Sequence, residues 1–268
     1  LIKRAEMKIT YLGHSGFIAE TKEQILIFDS IAAIGAAQTD SSDGISRGVL
    51  PELDPHKEIS IFVSHSHGDH YSREIWKLAV MYPEAEYFLG NDIDPRGVRR
   101  AVRDMGGEPA AVMERVRFTE PDKKYSLPGV LEAETLLSTD AGVAFYVTLN
   151  DGTTVFHAGD LLLWLWDENT PQENEFFTST FYRELKRVSG RKTDAAFLPF
   201  DPRLGEKAGL SSDEYLKAMD IRFALPMHFW KRYDLVRQYA ESAEERPFRR
   251  PLHAIEKENQ VFEVPVSL

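Results

Sequence analysis

The 268-residue chain contains no cysteine. Disulfides, thiolate ligands and thiol nucleophiles are therefore excluded, and any metal must be held by imidazole and carboxylate. Long apolar runs are missing as well. The one that stands out, Leu161 to Trp166, is far short of the roughly 20 residues a spanning helix needs. Positive charge is in deficit. A formal net charge of −11 argues against an extended basic surface for nucleic acid or anionic lipid, though not against a local basic patch. No basic-then-apolar leader opens the chain, and Leu1 reads as a start inside a longer gene product, so a cytoplasmic protein is the expectation. Repeats, low-complexity tracts and Pro-, Gly- or Ser-rich linkers are also lacking. One domain over residues 1–268 follows.

What is present is enough apolar residue, 43%, to bury a large core. Short β-type runs at Met7 to Leu12, Gly16 to Glu20 and Gln24 to Phe28 open the chain. A long irregular stretch follows, Ile31 to Lys57, of the kind that is usually functional or mobile. Ile59 to Ser64 reads as a buried strand, Arg73 to Met81 as a helix closed by Pro83, Glu86 to Leu89 as a strand, and Pro95 to Met105 as a basic helix. The middle reads as β: Ala111 to Phe118, Val130 to Leu137, Val143 to Leu149 and Thr153 to His157, the last two joined by an Asn150–Asp151–Gly152 turn. The final third alternates. Helices are predicted over Glu175 to Val188, over Ser212 to Met219 with Ser211 or Ser212 as cap, and over Phe229 to Glu245, with strands at Asp194 to Phe200 and Ile221 to Pro226. Two strand-rich blocks, each followed by helices, fit two packed sheets with helices outside.

The chemistry concentrates in His65–Ser66–His67–Gly68–Asp69–His70, three of the chain's eight histidines within six residues. Residues two apart on an extended segment point the same way, so His65 and His67 can grip one ion together. Gly68 permits a sharp turn, after which Asp69 and His70 can face a second ion. Two further strand tips end in candidate ligands: Val155 to Asp160 in Gly159–Asp160, and Phe223 to His228 in His228. Taken singly, an Asp or His at a strand end is ordinarily a cap, a turn residue or merely exposed. Three such tips in one chain point to a metal centre, with one or two divalent ions, zinc first and manganese or iron as alternatives.

The combination of His65-x-His67-x-Asp69-His70, Gly159–Asp160 and His228 resembles the metallo-β-lactamase superfamily of binuclear metal hydrolases. The opening Ile9 to Phe17, with its Gly13–His14–Ser15–Gly16 turn, is similar to the first hairpin of the branch containing ascorbate-6-phosphate lactonases. The resemblance implies an α+β fold, a four-layer αββα sandwich with the metals at one rim. It also implies that His65 and His67 bind the first ion, that Asp69, His70 and His228 bind the second, and that Asp160 bridges them. One departure stands out. Members usually supply a third imidazole to the first ion from the window matching Glu132 to Gly142, which here holds no histidine. Asp140, with Ser138 or Thr139, can replace it with oxygen, which would tilt selectivity toward manganese or iron; alternatively the ion lacks a third ligand, or Glu132 or Glu134 reaches in.

Two ions sharing a water would supply a metal-bound hydroxide at neutral pH. The expected activity is therefore hydrolysis of a small ester, lactone or amide, phosphorylated or not, with Asp69 orienting the water or acting as base. Phosphodiester hydrolysis, as in the nuclease branches, is an alternative. So is a non-catalytic metal-binding or sensing protein with an altered first site, and a redox di-iron protein is a further one. His14 could orient a ligand or substrate or simply bond within its turn; Arg203 could fork a carboxylate or phosphate or serve a structural ion pair. His157 reads as a support or core residue. Trp164, Trp166 and Trp230 could wall a pocket or lie in the core. Arg96, Arg99, Arg100 and Arg103 read as a solvated helix face, and His56 and His253 carry no assignment. The expected partner is a small-molecule substrate, with no nucleic acid and no membrane; a homo-oligomer is compatible with the sequence.

Overall fold

A computed structural model describes residues 6–35 and 42–265 of the chain. The first sheet begins with the antiparallel strands β1 (Glu6–Gly13), β2 (Gly16–Glu20) and β3 (Gln24–Phe28). It continues in parallel through β4 (Glu58–Val63), β5 (Glu86–Gly90) and β6 (Val116–Thr119). The second sheet repeats this plan. An antiparallel run of β7 (Lys124–Leu127), β8 (Val130–Leu137), β9 (Val143–Leu149) and β10 (Thr154–His157) passes into parallel β11 (Lys192–Pro199) and β12 (Asp220–Met227). A last strand, β13 (Val261–Pro265), returns to the first sheet and pairs with β1.

The central strands are apolar on both faces because both are covered. In β4, Ile59, Ile61 and Val63 face the outer layer while Phe62 faces the other sheet; in β3, Ile25 and Ile27 point outward and Leu26 and Phe28 inward. A shared aromatic layer fills the space between the sheets, with Phe17 stacked on Phe197 at 4.0 Å and Phe62 packed edge-on to Phe145 at 5.2 Å. Trp76, just before α1 (Leu78–Met81), and Val98 and Val102 of α2 (Pro95–Asp104) cover the outer face of the first sheet, and α3 (Pro109–Glu114) packs beside α2. On the far side, α4 (Pro171–Val188) lies against β8 and α5 (Leu210–Ala218) against β11 and β12, and α6 (Tyr233–Glu241) adds Val236 and Tyr239 to the same core. The layers run α, β, β, α, as the resemblance implies.

Several element boundaries depart from the sequence reading. Ala111 to Phe118 is not one strand: Pro109 occupies the first helical turn, Glu108 caps Ala110 N–H at 3.2 Å, and only Val116–Thr119 is extended. Strands β7 and β13 were not expected. Neither Ser211 nor Ser212 caps α5, which begins at Leu210. Both are buried inside it, where Ser211 Oγ accepts from Leu163 N–H and Ser212 Oγ donates to the Pro199 carbonyl. The expected helix from Phe229 starts only at Tyr233, because Trp230 and Lys231 have left-handed φ values of 50° and 57°. Part of the Ile31–Lys57 stretch lies outside the described residues. No helix among the described residues is long and apolar enough to cross a membrane.

Candidate metal centre

In sheets with parallel strands, ligand sites gather beyond the carboxyl ends of the strands. Here β3 leads into Asp29, β4 into Ser64 to His70, β10 into Gly159–Asp160, β11 into Asp201 and β12 into His228. The β1–β2 turn adds His14, and the β8–β9 turn adds Asp140. Two glycines allow these tips to converge. A Cβ on Gly142 (φ 64°) would lie 1.9 Å from the Ser64 carbonyl oxygen, and one on Gly159 (φ 50°) 2.9 Å from that of Val143.

Two clusters of donor atoms result, each within 4.8 Å of one another: His65, His67, Asp140 and Asp160 in one, and His14, Asp69, His70 and His228 in the other. In the first, His65 Nε2 is 3.0 Å from His67 Nδ1 and 3.6 Å from Asp160 Oδ2, and Asp140 Oδ2 is 3.5 Å from His67 Nδ1. In the second, Asp69 Oδ2 lies 3.3 Å from His14 Nε2 and 3.4 Å from His228 Nε2. Asp160 spans the two, its Oδ1 being 3.2 Å from His70 Nε2.

The surroundings fix which imidazole nitrogen faces inward. His70 Nδ1–H donates to Asp29 Oδ2 at 2.7 Å, and His228 Nδ1–H donates to Asp201 Oδ2 at 3.1 Å. Ser64 donates its hydroxyl to Asp29 at 2.6 Å and so accepts from His65 Nδ1–H at 2.9 Å. In the neutral form that metal binding requires, all three rings would therefore turn the Nε2 lone pair to the centre, the arrangement that metal-ligating histidines adopt. His70 Nε2, Asp160 Oδ1 and both His14 ring nitrogens are buried without a hydrogen-bond partner. Unpartnered buried polar atoms are costly, and a cation facing His14 Nε2, His70 Nε2 and Asp160 Oδ1 would satisfy those three. The donor set therefore fits divalent metal, and imidazole with carboxylate suits zinc, manganese or iron.

Electrostatics reflect the crowding. Burial pushes His65 down to about 4, and burial with the neighbouring His228 does the same to His14. For His228, burial is outweighed by Asp160, Asp201 and Asp69, which hold it up at about 9; Asp160 and Asp29 likewise raise His70. Asp69 and Asp160 sit well below the usual carboxylate range despite burial, held there by the surrounding imidazoles. Asp140 is raised by partial burial and by Asp160.

Strain collects at the same rim. Seven non-glycine residues among those described have left-handed φ, and His14 (48°), Asp29 (39°), His228 (64°) and Trp230 (50°) belong to the site. The long loop braces one of them: Ser46 Oγ accepts from His14 N–H at 2.7 Å.

All nine residues singled out from sequence converge here, with Arg203 on the wall of the cleft. Glu132 and Glu134 do not reach in. Glu132 pairs with Lys124, and Glu134 is held by Arg187 and Arg191 on the far side of β8. Thr139 is engaged elsewhere, bonding the Asp160 and Leu162 carbonyls at 3.0 and 2.6 Å, while Ser138 Oγ accepts from Asp140 N–H. His157 is structural. Its Nε2–H donates to the Ser15 carbonyl and its Nδ1 accepts from Gly159 N–H, tying the His14 turn to the Asp160 turn. His56 and His253 join neither cluster, and Arg96, Arg99, Arg100 and Arg103 form an exposed face. Sequence reasoning passed over Asp29 and Asp201. Their only signal is an aspartate directly after an apolar strand, the same one that picked out Asp160.

A cleft of about 340 Å³ opens above the clusters, floored by Asp69, Asp140, Asp160 and His228 and walled by Trp164, Trp166, Phe177, Arg203 and Trp230. The tryptophans therefore face the site rather than filling the core.

No family model matches the chain. It is 28% identical over 232 residues to a UPF0173 metal-dependent hydrolase of Methanobrevibacter smithii, covering 83% of this chain and 82% of that protein. Among solved structures it resembles Igni18, a metallo hydrolase from Ignicoccus hospitalis, with a TM-score of 0.60 at 16% identity over 96% and 98% of the two chains. It also resembles YhfI, a metallo-β-lactamase fold protein from Bacillus subtilis, with a TM-score of 0.52 at 13% identity over 96% and 99%.

Proposed function

We propose that this chain is a metal-dependent hydrolase of the metallo-β-lactamase superfamily, that its two donor clusters each hold a divalent ion and that it cleaves a small ester, lactone or amide. The observation that carries this reading is the set of Nε2 atoms of His65, His70 and His228, turned inward by the Nδ1–H bonds and aimed at carboxylate oxygens of Asp69 and Asp160. His65, His67, Asp140 and Asp160 would hold one ion. Asp69, His70, His228 and His14 would hold the other, with Asp160 shared.

His14 thus becomes a ligand rather than a substrate contact, and Asp140 takes the place of the missing imidazole. Divalent ions held there would supply Lewis acidity, which lowers the pKa of a bound water toward about 7 and polarises the group under attack. The protein's own part is positional. Asp69, partly exposed at the cleft floor, orients the attacking water and accepts its hydrogen bond. Asp29 and Asp201 keep the imidazoles in the required tautomer. Trp164 and its neighbours exclude bulk water from one side.

The test is metal analysis of protein purified without added metal, combined with a screen of esters, lactones and phosphodiesters. Two equivalents with chelator-sensitive ester or lactone turnover are expected, and Asp140→Ala should lower the stoichiometry to one. Metal without turnover of any member would instead indicate the binding or sensing protein, and turnover confined to phosphodiesters the nuclease-type enzyme.

A further inference from the structure

We propose that the cleft selects small organic anions, binding a carboxylate or phosphate on the end-on edge of Arg203 and a flat apolar body between the tryptophans. The guanidinium is oriented by Asp201, which accepts from Nε at 2.9 and 3.0 Å and from Nη2 at 2.5 Å. That contact occupies the side-on edge alone. Nη1 makes no hydrogen bond among the described residues, so the Nη1/Nη2 edge is free for a second fork, the geometry that matches two oxygens of a carboxylate or phosphate.

The group is also held in place by aromatic faces. Its central carbon lies 4.3 Å from the centre of the Trp230 ring, 5.5 Å from that of Trp166 and 5.9 Å from that of Trp164. Three of the chain's four tryptophans therefore surround one cation beside the metal centre. Trp164 and Trp166 stack with centroids 5.8 Å apart, presenting a planar wall. Since Asp201 also receives His228 Nδ1–H, a single carboxylate sets both the anion-binding edge and one metal-facing imidazole. Three carboxylates and one guanidinium line the cleft, so two divalent ions turn its formal balance from negative to positive. An anion then enters a favourable field in an otherwise acidic protein.

This rests on the metal-loaded reading above, yet equilibrium binding tests it without any turnover. Tryptophan fluorescence of the metal-loaded protein would be followed during titration with benzoate, phenyl phosphate, inorganic phosphate and neutral benzamide. Benzoate or phenyl phosphate should bind at least about tenfold more tightly than benzamide. Whichever of the two binds better identifies the anion class. Arg203→Gln should remove that preference, with Arg203→Lys restoring only part of it. Trp166→Ala should weaken phenyl phosphate but not inorganic phosphate. Equal affinity for benzoate, phenyl phosphate and benzamide, or a preference that survives Arg203→Gln, would overturn the proposal. Absence of chelator-sensitive turnover alongside intact Arg203-dependent binding would refute the hydrolase reading alone.

Discussion

Asp29 is the residue whose isosteric replacement says most about how the site is built. It is fully buried and accepts three hydrogen bonds: from Ser64 N–H at 2.7 Å on Oδ1, and from the Ser64 hydroxyl and His70 Nδ1–H on Oδ2. Asparagine fits the volume and tolerates the left-handed φ, but it offers one acceptor where two are required. An amide nitrogen at the Oδ1 position would face the buried Ser64 N–H, leaving a donor unsatisfied at a cost of about 1–3 kcal/mol. At the Oδ2 position it faces His70 Nδ1, which escapes the clash by moving its proton to Nε2. That second arrangement also takes away the Ser64 hydroxyl's acceptor, and it blocks the lone pair that would face a metal. Loss of one charge-assisted bond, about 1.5–3 kcal/mol, corresponds to roughly a 10–100-fold loss in metal affinity. Competition against a chromophoric chelator measures the affinity, and nitrogen-15 spectra of the histidines report the tautomer. Wild-type affinity in Asp29→Asn, or a His70 that keeps its Nδ1 proton, would refute the reasoning.

Asp69→Ala and His67→Ala should each abolish turnover while the circular dichroism spectrum and core melting stay intact; near-normal rates in either would sink the assigned roles. Gly142→Ala should cost about 1–3 kcal/mol from its left-handed φ and more from collision with the Ser64 carbonyl, and should lower metal content, whereas Gly152→Ala, with open space around it, should show the strain cost alone in the same denaturant melts. His228, at about 9 in the metal-free protein, stabilises the fold fully below its unfolded value near 6.5 and loses that contribution as pH rises toward 9. Metal requires the neutral ring, so affinity should rise over the same interval, and loading at pH 7 should release about two protons, from His70 and His228, seen as a buffer-dependent calorimetric enthalpy.

The site's skeleton was legible because strand ends and ligand types are local properties. His65 to His70, Asp160 and His228 each follow a recognisable apolar strand, and the Asn150–Asp151–Gly152 turn reads directly from its residues. What stayed hidden depends on distant contacts. Strand β13 is short and mostly exposed, and its reason for being extended is β1, more than two hundred residues away. Helix α3 hides behind an apolar run that reads equally as strand, and only the Glu108–Pro109 start distinguishes it. His14 shows as a turn residue until the hairpin folds against β12, where His228 N–H donates to its carbonyl at 3.2 Å. The supports Asp29 and Asp201 have local sequences like any strand-end aspartate. Their work is defined by which imidazole arrives opposite, and no single segment encodes that.

Neither donor cluster is contained in one sheet. His14, Asp69 and His70 come from the first and His228 from the second, while His65 and His67 from the first meet Asp140 and Asp160 from the second. An unfolded or half-folded chain thus offers no complete chelate, since the loop joining His14 to His228 closes only when the sheets dock. Metal capture belongs to the end of folding. An ion seated across that seam would act as a rivet between halves that no disulfide can join, slowing their separation without hastening their assembly.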